Sequence, residues 1–194
     1  MLEQRKEYKF VLEENKISNL LLTYQKKLSV LHPDRKITSL YFDTFDLSLY
    51  HLSNLSDANK SKVRVRKYGG INKYYKEIKY SNSQGKSKSV EKLSISSFND
   101  VKLIFHNNLH LLPTVFTSYT RSYYQFDKIR MTIDRDISFF NHEDRNLSKK
   151  KILFTKSIIE FKIGEDSANV EKEFFANPVA FSKYLTAVSE VYNV

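Results

Sequence analysis

Cysteine is absent from this chain, which excludes a disulfide framework, a thiolate zinc site and a cysteine nucleophile, and fits a reducing compartment. Glycine and proline are scarce, four and three in 194 residues, while hydrophobic residues make up 41% and aromatic residues 14%. That balance excludes a disordered basic tail and indicates a folded globular protein. No run of about 18 apolar residues occurs, and the opening Met-Leu-Glu-Gln-Arg-Lys is charged from its third residue, so it lacks the apolar core of a signal peptide. The expectation is a soluble, cytoplasmic protein. No repeat of solenoid type is present, and the length suits one well-buried domain over residues 1–194.

What the chain has in excess is positive charge. Lys and Arg total 32 against 22 Asp and Glu, a net charge of +10, which favours phosphate-rich ligands, nucleic acid or anionic membranes. The charge is patterned. Lys62-Val-Arg-Val-Arg-Lys-Tyr68 reads as a strand with Lys62, Arg64, Arg66 and Tyr68 on one face and Val63 and Val65 on the other. Arg64 and Arg66 then point the same way, roughly 7 Å apart, about the spacing of neighbouring phosphates in a chain. Taken alone, such a strand is more often the solvated face of an antiparallel sheet.

The same alternation returns elsewhere, with carboxylates mixed in. Near the start, Arg5, Glu7 and Lys9 oppose Tyr8 and Phe10. Further strands follow at Ser39–Thr44, with Ser39, Tyr41 and Asp43 on one face, and at Lys73–Tyr80, with Tyr75, Glu77 and Lys79 together. Val115–Phe126 places Tyr119, Arg121 and Tyr123 on one face. Lys128–Ile137 sets Lys128, Arg130, Thr132, Asp134 and Asp136 against Ile129, Met131, Ile133 and Ile137. Ile152–Ile163 supplies one or two strands, with Glu160 and Lys162 opposite Ile159, Phe161 and Ile163. Helical spacing predicts helices over Asn15–Leu31, over Ser94–Asn107, and from Pro178 with Asn177 as N-cap. A short helix or loop is expected over Leu47–Leu55. The Ser/Lys/Gly-rich stretch Ser81–Ser89 reads as a loop.

Seven or eight two-faced strands with interspersed helices suggest an α+β protein built on an antiparallel barrel. Its apolar faces either form a dry core with the charges in solvent, or are covered by helices while the charges converge on a water-filled tunnel. Amphipathic helices need an apolar sheet face to bury against, which favours the tunnel.

The pieces Arg5-x-Glu7-x-Lys9, Ser39-Leu-Tyr-Phe-Asp-Thr44, Lys62-x-Arg64-x-Arg66, Glu77-x-Lys79, Arg121, Arg130-x-Thr-x-Asp134, Glu160-x-Lys162 and Ser182-Lys183-Tyr184 together resemble the triphosphate tunnel metalloenzymes. Within that group the chain is most similar to the catalytic domain of the vacuolar transporter chaperone (VTC) complex and to stand-alone bacterial polyphosphate polymerases. Sister families open with Glu-x-Glu-x-Lys. Arg5 in place of the first acid removes a potential metal ligand and adds a phosphate ligand, which points to the polymerase branch.

The resemblance implies a closed antiparallel eight-stranded, CYTH-like barrel with helices packed on the outside. It implies an ATP-dependent phosphotransferase that passes the γ-phosphoryl group to a growing polyphosphate chain. Lys9, Arg64, Arg66, Lys79, Arg121, Arg130 and Lys183 would be catalytic, and Arg5, Lys62, Lys162 and Tyr41 substrate-binding. Glu160 and Glu7 would hold Mn²⁺ or Mg²⁺. ATP and inorganic polyphosphate or triphosphate are the implied partners, with a membrane protein as a further candidate. A triphosphatase using water as acceptor is the alternative on the same scaffold.

Residue by residue, plainer readings stand beside these. Glu77 with Lys79, and Glu160 with Lys162, also fit ordinary ion pairs, and Asp43 and Asp134 fit carboxylates that orient neighbouring arginines. The five histidines show no ligand spacing. An RNA or polyanion binder is disfavoured by Glu7, Glu77 and Glu160, since carboxylates on a nucleic-acid surface repel phosphate.

Overall fold

The computed structural model describes residues 6–55, 59–83, 85–126, 129–143, 151–163 and 178–194. In chain order the elements are β1 (Lys6–Leu12), α1 (Glu14–Thr23), β2 (Leu28–Asp43), α2 (Ser48–Asn54), β3 (Lys60–Tyr68), β4 (Tyr74–Asn82), β5 (Gly85–Leu93), a 3-10 turn (Phe98–Asp100), β6 (Ile104–His106), β7 (Leu109–Phe126), β8 (Ile129–Asn141), β9 (Ile152–Leu153), β10 (Ser157–Ile163) and α3 (Lys183–Tyr192). The hydrogen-bonded order is β1-β10-β8-β7-β2-β3-β4-β5, with β6 on β7 and β9 on β8. The assigned ladders are antiparallel, so the protein is a largely antiparallel sheet with helices set between its strands. No helix among the described residues is long and apolar enough to cross a membrane.

The chain divides into two compact units. The first comprises Met1–Arg35, Tyr119–Ile137 and Phe154–Phe181. Its apolar core joins Phe10 of β1, Met131 and Ile133 of β8, and Ile159 and Phe161 of β10 to Ile17 and Leu20 of α1. These strand residues are the apolar halves of the alternations, and α1 buries its own stripe on them. The second unit comprises Lys36–Ser118, Ser138–Leu153 and Ser182–Val194. Here Leu40 and Phe42 of β2, Val63 and Val65 of β3, and Tyr74 of β4 pack with Leu49 of α2, Phe116 and Phe140. Phe98 and Val101 lie over the same cluster.

The opposite faces are buried as well. In the first unit Thr132 and Asp134 are 3% and 2% exposed, and in the second Arg66 and Glu77 are 5% and 2% exposed. These four polar residues are withdrawn from solvent, while Arg130 and Asp136 of β8 are exposed. A different placement applies to α3, whose Tyr184 stacks on Tyr41 of the polar face of β2, centroids 5.0 Å apart.

Four elements depart from the sequence expectations. The first helix ends at Thr23 rather than Leu31, because the backbone from Leu28 onward joins β2. Ser94–Asn107 forms only one 3-10 turn, in which the Asp100 carboxylate accepts from the Ser96 and Ser97 N–H groups at 2.8 and 2.9 Å. The segment then becomes a hairpin around Asn107 and Asn108, both left-handed at φ 50° and 61°, the conformation a two-residue hairpin turn requires. Ser81–Ser89 is not a loop but the β4–β5 hairpin, with Asn82 paired to Gly85. The last helix starts at Lys183 with Ser182 as N-cap, since Val179 N–H donates to the Lys9 carbonyl at 2.8 Å and holds that stretch extended. Asn177 and Lys128 lie outside the described residues.

Ile17 is fully buried where α1 meets the first unit's sheet. Ile17→Ala should lower unfolding free energy by about 3 kcal/mol, measured by urea denaturation; a loss below about 1 kcal/mol would show that α1 does not depend on this contact.

Candidate functional site

In the second unit, β2, β3, β4 and β5 bring their odd-numbered and even-numbered polar positions into register. Tyr41 lies opposite Arg64, Arg64 opposite Glu77, and Ser39 opposite Arg66. Arg64 donates from Nε and Nη2 to Glu77 Oε2 at 2.8 and 2.5 Å, and from Nη1 to the Tyr41 hydroxyl at 2.9 Å. Arg66 Nη1 is 3.5 Å from the same carboxylate oxygen, while its Nε donates to Ser39 Oγ at 3.0 Å. Lys88 Nζ reaches Glu77 Oε1 at 2.9 Å. One buried carboxylate therefore serves three cations.

The electrostatics follow from that count. Burial on its own would raise the Glu77 pKa, but Arg64, Arg66 and the Lys88 hydrogen bond outweigh it and hold the carboxyl at about 2. Burial would likewise raise Tyr41, yet Arg64, Arg66 and Lys183 bring its hydroxyl down to about 8. Positive charge exceeds what the acid neutralises, and the phenol responds to the surplus.

Around this centre, Lys62, Lys79 and Lys88 form one row across β3, β4 and β5, and Lys62 Nζ donates to Ser182 Oγ at 2.9 Å. Ser182 in turn caps α3 by accepting from Leu185 N–H at 3.4 Å. This places Lys183, the first residue of α3, beside Tyr41. The helix is fixed by Asp43, which is fully buried and accepts from the Tyr184 hydroxyl and from the Leu49 and Tyr50 N–H groups at 2.8 and 3.0 Å. Asp43 thus orients helix backbone and a tyrosine rather than an arginine. Burial and the Asp43 charge together push the Tyr184 hydroxyl well above its ordinary pKa, so it stays a donor.

The first unit carries its own charged face. Arg121 donates to both oxygens of Asp134, Nε at 2.5 Å and Nη2 at 2.7 Å, which is the orienting role expected of that acid. Burial works against the charge on Arg121, and Tyr119, Asp134 and Glu160 more than restore it. The β1–β10–β8 register sets Glu7 opposite Lys162, Lys9 opposite Glu160, Glu160 opposite Thr132 and Lys162 opposite Arg130. Lys162 Nζ bridges the two glutamates, 3.0 Å from Glu7 and 3.4 Å from Glu160. Lys9 Nζ donates to the Phe181 carbonyl at 3.1 Å. The hydroxyl of Thr132 is buried without a hydrogen-bond partner.

Every expected site residue except Arg5, which lies outside the described residues, is therefore found on one of two charged faces. Lys9, Arg121, Arg130, Lys162, Glu7 and Glu160 belong to the first unit, and Tyr41, Lys62, Arg64, Arg66, Lys79 and Lys183 to the second. Lys88 was missed because its segment lacks apolar alternation and carries Gly85, so it reads as a loop. The lysine spacing Lys86-x-Lys88 was the signal available.

A family model described as the VTC domain matches residues 4–99 and 87–192. No curated protein sequence matches the chain. Among solved structures, a candidate adenylate cyclase, bh2851 of Bacillus halodurans, is similar at a TM-score of 0.59 and 16% identity, over 93% of this chain and 94% of that one. PH1819 of Pyrococcus horikoshii OT3 gives 0.58 at 9% identity, over 96% and 99%. A candidate adenylyl cyclase of Hippeastrum, HpAC1, whose dominant activity is that of a triphosphatase, gives 0.56 at 14% identity, over 97% of each chain. At these identities the likeness is one of fold.

Because the folded-state pKa of Glu77 is depressed, its stabilising contribution is complete above the unfolded value near 4.5 and is lost as pH falls toward about 2. Over that window the wild type should lose up to about 3 kcal/mol from this group, and Glu77→Gln should show a flatter acid limb in urea midpoints. Parallel curves would remove Glu77 as the acid-sensitive group. Tyr41 should ionise near pH 8, seen as a phenolate difference spectrum missing from Tyr41→Phe; added inorganic triphosphate should delay the ionisation, since a bound polyanion opposes a phenolate.

Proposed function

The chain belongs to the VTC domain family, and on that premise we propose that it is a polyphosphate polymerase, transferring the γ-phosphoryl group of ATP to the end of an inorganic polyphosphate chain in the cytoplasm. The observation that carries this reading is the Glu77-centred cluster, in which buried Arg66, half-buried Arg64 and the more exposed Lys88 share one acid on a face that keeps a surplus of positive charge. Phosphoryl transfer asks little covalent chemistry of a protein. It asks for positioning and for neutralisation of charge that spreads over the equatorial oxygens. The reading includes the single domain over 1–194 and the closed barrel expected from the sequence.

Arg64 and Arg66, each held by Glu77 or its neighbours, present fixed guanidinium groups to phosphate oxygens, and a planar fork orients such oxygens where a point charge does not. Lys62, Lys79 and Lys183 add further positive charge to the same face. On the other face Arg121, oriented by Asp134, and Lys9, Arg130 and Lys162 do the same. The reaction breaks the bond from the γ-phosphorus to the bridging oxygen, which leaves on ADP, and forms a bond to a terminal oxygen of the acceptor chain. Arg5 and Tyr41 complete the substrate contacts in this reading.

The donor set also suits a hard divalent cation. Glu7 and Glu160 lie around one ammonium group, and the orphaned Thr132 hydroxyl shares their face. Mg²⁺ and Mn²⁺ are commonly held by one or two carboxylates, with substrate phosphates supplying other ligands. Bound there, such an ion would neutralise charge on the transferred group, with Lys162 moving off the carboxylates.

A second reading has support in the fold likeness to HpAC1, itself a triphosphatase: the same faces would serve a hydrolase in which water takes the phosphoryl group. Incubation of the purified protein with ATP and Mn²⁺ or Mg²⁺, with ADP, free phosphate and long polyphosphate assayed together, separates the two. Polymer with stoichiometric ADP is expected; free phosphate without polymer would replace the polymerase by the hydrolase, and no turnover with any triphosphate would overturn both. Arg64→Ala should cost roughly 10²-fold in turnover, and Glu160→Ala should abolish the metal-dependent rate while urea midpoints stay near wild type.

A further inference from the structure

Two arginines of the first unit stand apart from the rest. Arg64, Arg66, Arg121 and Arg135 each pair with a carboxylate, whereas Arg35 and Arg130 have no ion pair among the described residues. Both instead rest on one aromatic ring: the guanidinium carbons of Arg35 and Arg130 are each 5.8 Å from the centroid of Tyr123. The His32 ring meets the same tyrosine edge-on at 5.6 Å. Tyr123 is 5% exposed, while Arg35 is half-buried and Arg130 and His32 are exposed.

A tyrosine face attracts guanidinium groups through its quadrupole, but it supplies no net negative charge. Two like charges therefore share one ring, with no ion pair to either among the described residues. Stacking on a ring occupies the flat of a guanidinium and leaves its N–H edges available, five donors in a planar fork that match phosphate oxygens. Sharing one ring at equal distances keeps the two groups within reach of a single short run of linked phosphates. The register continues the charged face directly, since Arg130 lies opposite Lys162 and Lys162 contacts Glu7.

We propose that Arg35, displayed on the Tyr123 ring beside Arg130, adds a second anion site next to the reacting face, one that holds phosphate groups of a polyphosphate chain beyond those at the reacting end. The identity of the ligand rests on the phosphoryl-transfer reading; the presence of an anion site does not. Arg35 is the residue that no motif pointed to, because its place in the middle of β2 lies before the alternating run that begins at Ser39. Arg35 is not among the groups assigned to the transferred phosphoryl, so a longer chain gains from it where a ligand of three phosphates does not. The site therefore selects for chain length.

The test is calorimetric binding of two probes, inorganic triphosphate and long-chain inorganic polyphosphate, to the full chain and to Arg35→Gln and Arg35→Lys, with ATP turnover measured alongside. Arg35→Gln is expected to weaken polyphosphate about tenfold, the loss of one charge-assisted contact, with triphosphate affinity and ATP turnover kept near wild type. Arg35→Lys should recover part of the polyphosphate affinity, which a folding defect would not allow. Equal weakening of both probes, or no change in either, would overturn the second site while leaving the phosphoryl-transfer reading in place. Failure of the wild type to bind either probe would overturn both.

Discussion

Glu77 is the group on which the charged face of the second unit depends. Two guanidinium groups and an ammonium converge on one buried acid, with Arg66 buried beside it, where like charges repel and a buried ion without a partner is costly. A single buried carboxylate, accepting from Arg64 and Lys88 and lying near Arg66, makes the cluster tolerable without cancelling it. The first unit solves the same problem with Asp134, which grips Arg121 through both oxygens. In each case the acid fixes the direction of an arginine, and fixed donors need no reorganisation when charge develops on a ligand.

The strands were legible because alternation with period 2 survives any tertiary context in which both faces are specialised. Val63, Val65, Ile129, Met131, Ile133, Ile159 and Phe161 are all buried, as their positions in the pattern require, and the Arg and Glu residues between them occupy the other faces. What the pattern could not express is pairing across the sheet. Glu77 and Lys79 are neighbours in sequence, yet Glu77 takes its partners from β3 and β5. Glu160 and Lys162 do meet, but Lys162 lies closer to Glu7. Asp43 follows the same rule in part: besides the adjacent Thr44, it is held by backbone groups of α2 and a tyrosine on α3, which no local signal announces.

The misread elements share a cause. Asn15–Leu31 and Ser94–Asn107 have apolar residues at spacings that suit a helix, and in both a strand takes over part of the run. Leu103 and Phe105 remain 48% and 63% exposed, so their spacing is not that of a buried helical stripe. In β5 the error runs the other way, since its residues are almost all exposed and one paired side is enough to hold the backbone extended.

The Asp43 junction also has a bearing on how the protein is made. Asp43 reaches the N–H groups of α2 six and seven residues later, but its tyrosine partner lies 141 residues further along the chain. On a ribosome, all ten strands emerge before the segment carrying Ser182, Lys183 and Tyr184. A nascent chain can therefore assemble its ladders early, while Asp43 keeps an open acceptor position until the final helix docks. Docking is a contact of high sequence separation, the kind that closes late in folding. It follows that Lys183 takes its place beside Tyr41 only after the strands it packs against have been made, so that a polypeptide halted short of Ser182 would hold its ladders without that contact.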